Sequence, residues 1–99
     1  MNKAFVRVSK KDPRYFELSD GSPYIPVGMN ICFQRFLTNP DEIMAVYERQ
    51  MKALSENGAN YLRIWLSAPV FEVEPEKPGV FDMAALGRVK KILEMAEKY

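Results

Sequence analysis

The chain has 99 residues, 14 Lys and Arg against 13 Asp and Glu, no His, and a formal net charge of +1. One small domain is the most this length allows, and a 47% hydrophobic share with 12% aromatics excludes a disordered chain. Interspersed charges give no basic stripe for nucleic acid, and no apolar run reaches the roughly 18 residues a membrane span requires.

The start, Met1-Asn2-Lys3-Ala4-Phe5, has no signal-peptide core, so nothing here assigns a compartment; a secreted or periplasmic parent stays compatible. Cys32 stands alone, which excludes an intrachain disulfide and a cysteine-cluster metal site. The absence of His excludes Ser-His-Asp and Cys-His catalysis within this chain and removes the usual zinc ligands. Any acid–base chemistry falls to carboxylates.

In chain order, Phe5-Val6-Arg7-Val8 and Tyr15-Phe16-Glu17-Leu18 read as short strands. Ser19-Asp20-Gly21-Ser22 reads as a turn, since Gly accepts positive φ without steric cost. Tyr24-Ile25 can pair back across that turn. Residues 1–24 therefore form an N-terminal β-hairpin region, and residues 25–99 a second region. The second region opens with Pro26-Val27-Gly28-Met29-Asn30, an apolar strand whose Pro fits only at its start. A loop from Ile31 to Thr38 follows, with Phe33 and Phe36 around Gln34 and Arg35.

Asn39 as N-cap, Pro40 at the first helical position and Glu42 three residues after the cap announce a helix. Ile43, Tyr47, Met51 and Leu54 recur at helical spacing on its apolar face, and Asn57-Gly58 stops it. Tyr61-Leu62-Arg63-Ile64-Trp65-Leu66 is the clearest strand, with Leu62, Ile64 and Leu66 on one face and Tyr61, Arg63 and Trp65 on the other. After a long loop with Pro69, Pro75, Pro78 and Gly79, Asp82 caps a second helix whose expected buried face is Leu86, Val89, Leu93 and Ala96. The order is strand, helix, strand, helix. Such a series wants a third parallel strand beside the second, so the 99 residues read as the opening part of a larger α/β barrel.

Arg63 carries the most chemical information. A parallel strand covered on both faces is normally an apolar run, and an unpaired buried charge costs several kcal/mol. Arg63 therefore makes a structural ion pair, faces water at an edge, or aims at a carboxylate on a barrel's interior face. Asn30 ends the first parallel strand in the equivalent place, able to bond a ligand hydroxyl or to start a turn. Glu72, Glu74 and Glu76 alternate; if the segment is extended they share a face roughly 7 Å apart, within the range of paired glycosidase carboxylates. The competing reading is a solvated loop. Phe33, Phe36, Trp65, Phe71 and Phe81 crowd the loops after the strands, as sugar-stacking surfaces or as ordinary packing.

Four segments together resemble the N-terminal part of the large glycoside hydrolase clan built on (β/α)8 barrels, which includes endocellulases, β-mannanases and β-galactosidases. Phe16-Glu17-Leu18-Ser19-Asp20-Gly21-Ser22-Pro23-Tyr24 is similar to its opening hairpin, and Val27-Gly28-Met29-Asn30 to its first barrel strand. Asn57-Gly58-Ala59-Asn60-Tyr61-Leu62-Arg63-Ile64-Trp65 resembles its second strand, and Glu74-Pro75-Glu76-Lys77-Pro78-Gly79-Val80-Phe81-Asp82 the segment before its second helix. The resemblance implies an N-terminal hairpin followed by the first two βα units of a TIM barrel. It implies a retaining glycosidase that needs no metal or organic cofactor. The catalytic glutamates come from the family's fourth and seventh strands, beyond residue 99, so this chain would carry none. The Arg matching Arg63 would lie beside the nucleophile and help hold it ionised, with Asn30, Phe33 and Trp65 as substrate-binding residues.

The expected partners are an oligo- or polysaccharide and either the remainder of the barrel or a second copy pairing at the open sheet edge; neither nucleic acid nor a membrane is expected. The competing function is a non-catalytic α/β module that binds carbohydrate or a partner protein.

Overall fold

Asp20 and Gly21 turn the chain back on itself to make the first of two small sheets. The computed structural model describes residues 4–32, 34, 36–67 and 70–99. They are mixed α/β, with strands β1 (Val6–Val8), β2 (Phe16–Leu18), β3 (Pro23–Tyr24) and β4 (Gly28–Asn30), helix α1 (Pro40–Glu56), strand β5 (Tyr61–Arg63) and helix α2 (Met83–Lys98).

The first sheet is antiparallel in the order β1-β2-β3, with Arg7 opposite Glu17 and Phe16 between Val8 and Tyr24. Gly21 takes φ 90, open to Gly without strain. Asp20 Oδ1 accepts from the Ser22 hydroxyl (2.6 Å) and amide (2.9 Å). Period-two alternation places Val6, Val8, Phe16, Leu18 and Tyr24 on one face and Arg7 and Glu17 on the other.

Glu17 is only 4% exposed, a buried charge in a strand that reads as ordinary from sequence. Burial by itself raises its pKa. The Arg7 guanidinium (Nε to Oε1, 2.9 Å), the Ser9 hydroxyl (3.0 Å to Oε2) and the Lys10 amide outweigh that and hold the carboxyl below the usual glutamate range. A folded-state pKa below the unfolded one contributes stability above the unfolded value, and that stability is lost as pH falls through the folded value. Wild-type chain should therefore lose thermal stability on acidification below about 4.5, the ordinary glutamate value. Glu17→Gln should flatten that part of the Tm–pH curve; an identical slope in both proteins would show that Glu17 does not couple folding to pH.

The second sheet pairs β4 and β5 in parallel, with Gly28 opposite Tyr61, Met29 opposite Leu62 and Asn30 opposite Arg63. A Cβ on residue 28 would lie 1.8 Å from the Tyr61 carbonyl oxygen, so Gly is required for the strands to approach this closely. Asn60 joins the two sheets. Its backbone amide donates to Val27 O (2.8 Å), its Oδ1 accepts from the Val27 amide (2.8 Å), its Nδ2 donates to Ile25 O (3.0 Å), and its carbonyl accepts from the Tyr24 hydroxyl (3.0 Å).

Helix α1 follows its sequence signals. Asn39 Oδ1 accepts from the amides of Asp41 (2.9 Å) and Glu42 (3.2 Å), with Pro40 at the first turn. At the other end Ala59 N–H donates to Leu54 O and Gly58 N–H to Ser55 O, with Gly58 at φ 82: a Schellman motif. Asp82 caps α2 by accepting from the Ala85 amide at 3.0 Å.

The core lies between the helices and one face of the second sheet. Ile43, Met44, Tyr47 and Met51 of α1 meet Ile92 and Met95 of α2 and Val70 and Phe71 of the connecting loop, with half-buried Leu62 and Ile64 packed against them. The Tyr47 and Phe71 rings pack tilted at 5.5 Å. Burial, with a smaller contribution from Cys32, pushes the Tyr47 hydroxyl up. Arg88 Nε donates to Val70 O at 2.8 Å and ties the loop to α2. Glu48 of α1 accepts from the Tyr99 hydroxyl (2.9 Å) and Lys98 Nζ (3.1 Å), which hold its carboxyl below the usual range.

Three details depart from the sequence expectations. The strand expected over 61–66 ends at Arg63: Ile31 N–H still donates to Arg63 O (2.9 Å), the next bond, Trp65 N–H to Cys32 O, is long (3.4 Å), and β5 has no second neighbour among the described strands. Leu66 is exposed as a result. The buried stripe of α2 is Ala85, Ile92 and Met95, with Leu86 and Val89 half-buried; Leu93 is 61% exposed and Ala96 exposed. Adjacent Ile92 and Leu93 leave the phase of the stripe ambiguous in sequence, and packing on α1 selects Ile92. Finally, residues 72–76 form no strand, with bends at 73, 75 and 76, so Glu72, Glu74 and Glu76 do not share a strand face.

Because Asn60 makes four bonds between the hairpin segment and β5, Asn60→Ala, which deletes the two made by its side chain, should cost about 1–2 kcal/mol. Circular-dichroism melting and hydrogen exchange at the Val27 amide measure this. Unchanged Tm and unchanged Val27 protection would show that the side chain carries no stability.

Candidate functional site

Leu62 and Ile64 point into the core, so alternation turns Tyr61, Arg63 and Trp65 to the opposite face of β5, away from both helices. Asn30 stands opposite Arg63 in the parallel register and shares that face. The second sheet thus has one side where Leu62 and Ile64 pack against the helix core while Met29 stays exposed, and a side bearing Asn30, Tyr61, Arg63 and Trp65, all exposed.

The Arg63 guanidinium carbon lies 5.8 Å from the Trp65 ring centroid, in cation–π range. Among the described residues no carboxylate lies within ion-pair distance of Arg63. The buried structural ion pair considered from sequence is therefore not formed here; that role belongs to Arg7 and Glu17. Trp65 is 45% exposed, its ring presenting an apolar surface beside the Arg63 cation on the face that also carries Asn30. Such a combination can stack a sugar ring and bond its hydroxyls.

Structure brings together Asn30, Arg63 and Trp65 of the four sequence-proposed site residues. Phe33 lies outside the described residues. Phe71, weighed as a loop aromatic, is 2% exposed and belongs to the core. Phe36 is 91% exposed. Tyr61 joins the site face without having been singled out; the alternation that placed Arg63 and Trp65 was sufficient signal for it. Glu74 Oε2 accepts from the Gly79 amide at 3.2 Å, and Asp82 N–H donates to Val73 O at 2.8 Å. These bonds close the loop on itself, and Glu74 serves that turn.

Among the described residues, no group of three or more His, Cys, Asp or Glu side chains is placed to hold a metal ion. No described helix is long and apolar enough to cross a membrane. Elsewhere, a cavity of about 330 Å³ opens between the C-terminal ends of α1 and α2 and the start of β5, lined by Leu54, Ser55, Ala59 and Tyr99. A second apolar one of about 290 Å³ runs beside β5 between Leu66 and Leu93. No protein-family model, curated protein or solved structure matches the chain.

Trp65 is the only Trp, so its fluorescence reports this face directly. Arg63→Ala should change Trp65 emission while costing no more than about 1 kcal/mol, the range of an exposed cation–π contact. A loss of several kcal/mol in urea unfolding would assign Arg63 a structural role instead.

Proposed function

We propose that the chain is the N-terminal part of a (β/α)8-barrel glycoside hydrolase that cleaves β-linked glycans by a retaining, two-carboxylate mechanism. In this reading β4-α1 and β5-α2 are the first two βα units, and the catalytic glutamates lie beyond residue 99. One carboxylic acid protonates the leaving oxygen and the other carboxylate forms the glycosyl-enzyme.

The observation that carries the reading is the pairing of Asn30 with Arg63 on the helix-free face of a parallel two-stranded sheet. In a barrel that face is the interior, and the ends of its strands carry the site. An Arg there without a carboxylate neighbour among the described residues suits a partner supplied from another strand. The apolar groove along β5, flanked by exposed Leu66 and Leu93, supports a sheet that continues past β5. Trp65 offers a stacking surface and Asn30 a hydroxyl partner for the glycan. The two-carboxylate mechanism calls on no metal or organic cofactor.

The test uses the longer protein and the 99-residue chain side by side on aryl β-glycosides. The chain alone should show no turnover. Turnover by the chain that disappears in Glu72→Gln or Glu74→Gln would make the loop carboxylates catalytic and overturn the reading. In the longer protein, Arg63→Ala should lower kcat/KM by roughly 10- to 1,000-fold, about 1.4–4 kcal/mol of transition-state electrostatics. Removing the positive charge should raise the nucleophile's pKa and move the acidic limb of the pH–rate profile upward. Arg63→Lys should recover only part, since a point charge does not reproduce a planar fork. Glycan binding with no hydrolysis by the longer protein would establish the non-catalytic binding module instead.

A further inference from the structure

The C-terminal turn of α1 contains a chemical feature that the proposed function does not use. Asn57 is exposed and is followed by Gly58, which has no side chain to shield its backbone nitrogen. The space where a Cβ would sit on Gly58 is open, with no heavy atom within 4 Å. Two hydrogen bonds engage the reacting groups. Gly58 N–H donates to Ser55 O at 3.1 Å, and Asn57 Nδ2 donates to Ala53 O at 2.8 Å. Both acceptors are carbonyls of the last helical turn.

We propose that Asn57 is a site of spontaneous deamidation, held in check by the Schellman turn of α1 and released when that turn opens. The Gly58 nitrogen attacks Asn57 Cγ. An N–Cγ bond forms, the Cγ–Nδ2 bond breaks, and ammonia leaves carrying the former Gly58 amide proton. Water then adds to one carbonyl of the five-membered succinimide and opens the ring, giving aspartate or isoaspartate. No oxidant or reductant takes part.

The other described asparagines are poorer candidates. Asn39 precedes Pro40, whose nitrogen has no proton to lose. Asn30 precedes Ile31, whose amide donates to Arg63 O within the parallel ladder, at 2.9 Å. Asn60 precedes Tyr61 and has both side-chain atoms engaged with Val27 and Ile25.

Conversion has a structural consequence. A new carboxylate arises at the negative end of the α1 dipole, beside Glu56, where the last turn holds no basic residue. Isoaspartate also lengthens the main chain three residues before Asn60, the residue that joins the two sheets.

Purified chain held at mildly alkaline pH, in native buffer and in urea, tests this by peptide mapping with mass spectrometry and isoaspartate-specific fragmentation. In urea, Asn57 should convert ahead of Asn30, Asn39 and Asn60. In native buffer it should convert roughly tenfold or more slowly, since the helix end must first open. Asn57→Asp should melt below Asn57→Ala, which loses the same Nδ2 bond without gaining charge. Earlier conversion of another of these asparagines in urea would overturn the site. Equal rates in the two buffers would overturn the restraint by the helix turn. Equal melting of the two variants would overturn the consequence.

Discussion

One residue, Asn60, joins the parts of this molecule. Neither sheet is independently robust: one has three strands of two or three residues, the other two strands of three. Sheets this small need packing or cross-links to persist in water. Asn60 supplies the cross-link by bonding the Tyr24–Val27 segment through its backbone and both side-chain atoms. Its placement depends on the Schellman turn of α1, which delivers the chain from helix to β5 over a few residues. A single short stretch, 57–60, therefore sets both the helix end and the strand register.

That register has a chemical outcome. Because Asn60 bonds Val27, Gly28 falls opposite Tyr61 and Asn30 opposite Arg63. The close approach at Gly28 admits no Cβ. Shifting the pairing by one residue would turn Arg63 toward the core and Leu62 toward water, so the polar face and the apolar core are two sides of one constraint.

Charge is handled differently at the two ends of the chain. Glu17 is buried and surrounded by donors from Arg7, Ser9 and Lys10, so its charge is satisfied locally. Arg63 is exposed and leans on Trp65. The Glu48–Lys98–Tyr99 cluster joins the helices at the surface, where solvent screening makes it a weak stabiliser. Most of the cohesion between helices comes from apolar contacts of Ile43, Tyr47, Met51, Ile92 and Met95.

Local chemistry made much of this legible in sequence. Asn39-Pro40, Asn57-Gly58 and Asp82 mark helix ends because capping depends on neighbouring backbone groups alone, and Asp20-Gly21 marks its turn for the same reason. Alternation along residues 61–65 placed Arg63 and Trp65 on a common face because side-chain direction in a strand follows from pleating. The burial of Glu17 was not legible, since it depends on Arg7 of β1 and Ser9 just beyond it reaching across from a separate segment. The choice of Ile92 over Leu93 was not legible either, because two adjacent apolar residues satisfy a helical period equally and only α1 distinguishes them. Glu72, Glu74 and Glu76 had an alternating pattern, but the loop folds without a strand and Glu74 accepts from the Gly79 amide within it. Sequence by itself determined the elements, their caps and the faces of the strands. Only tertiary structure decided the register, the core phase and the partners of each charge, because those rest on contacts between segments far apart in the chain.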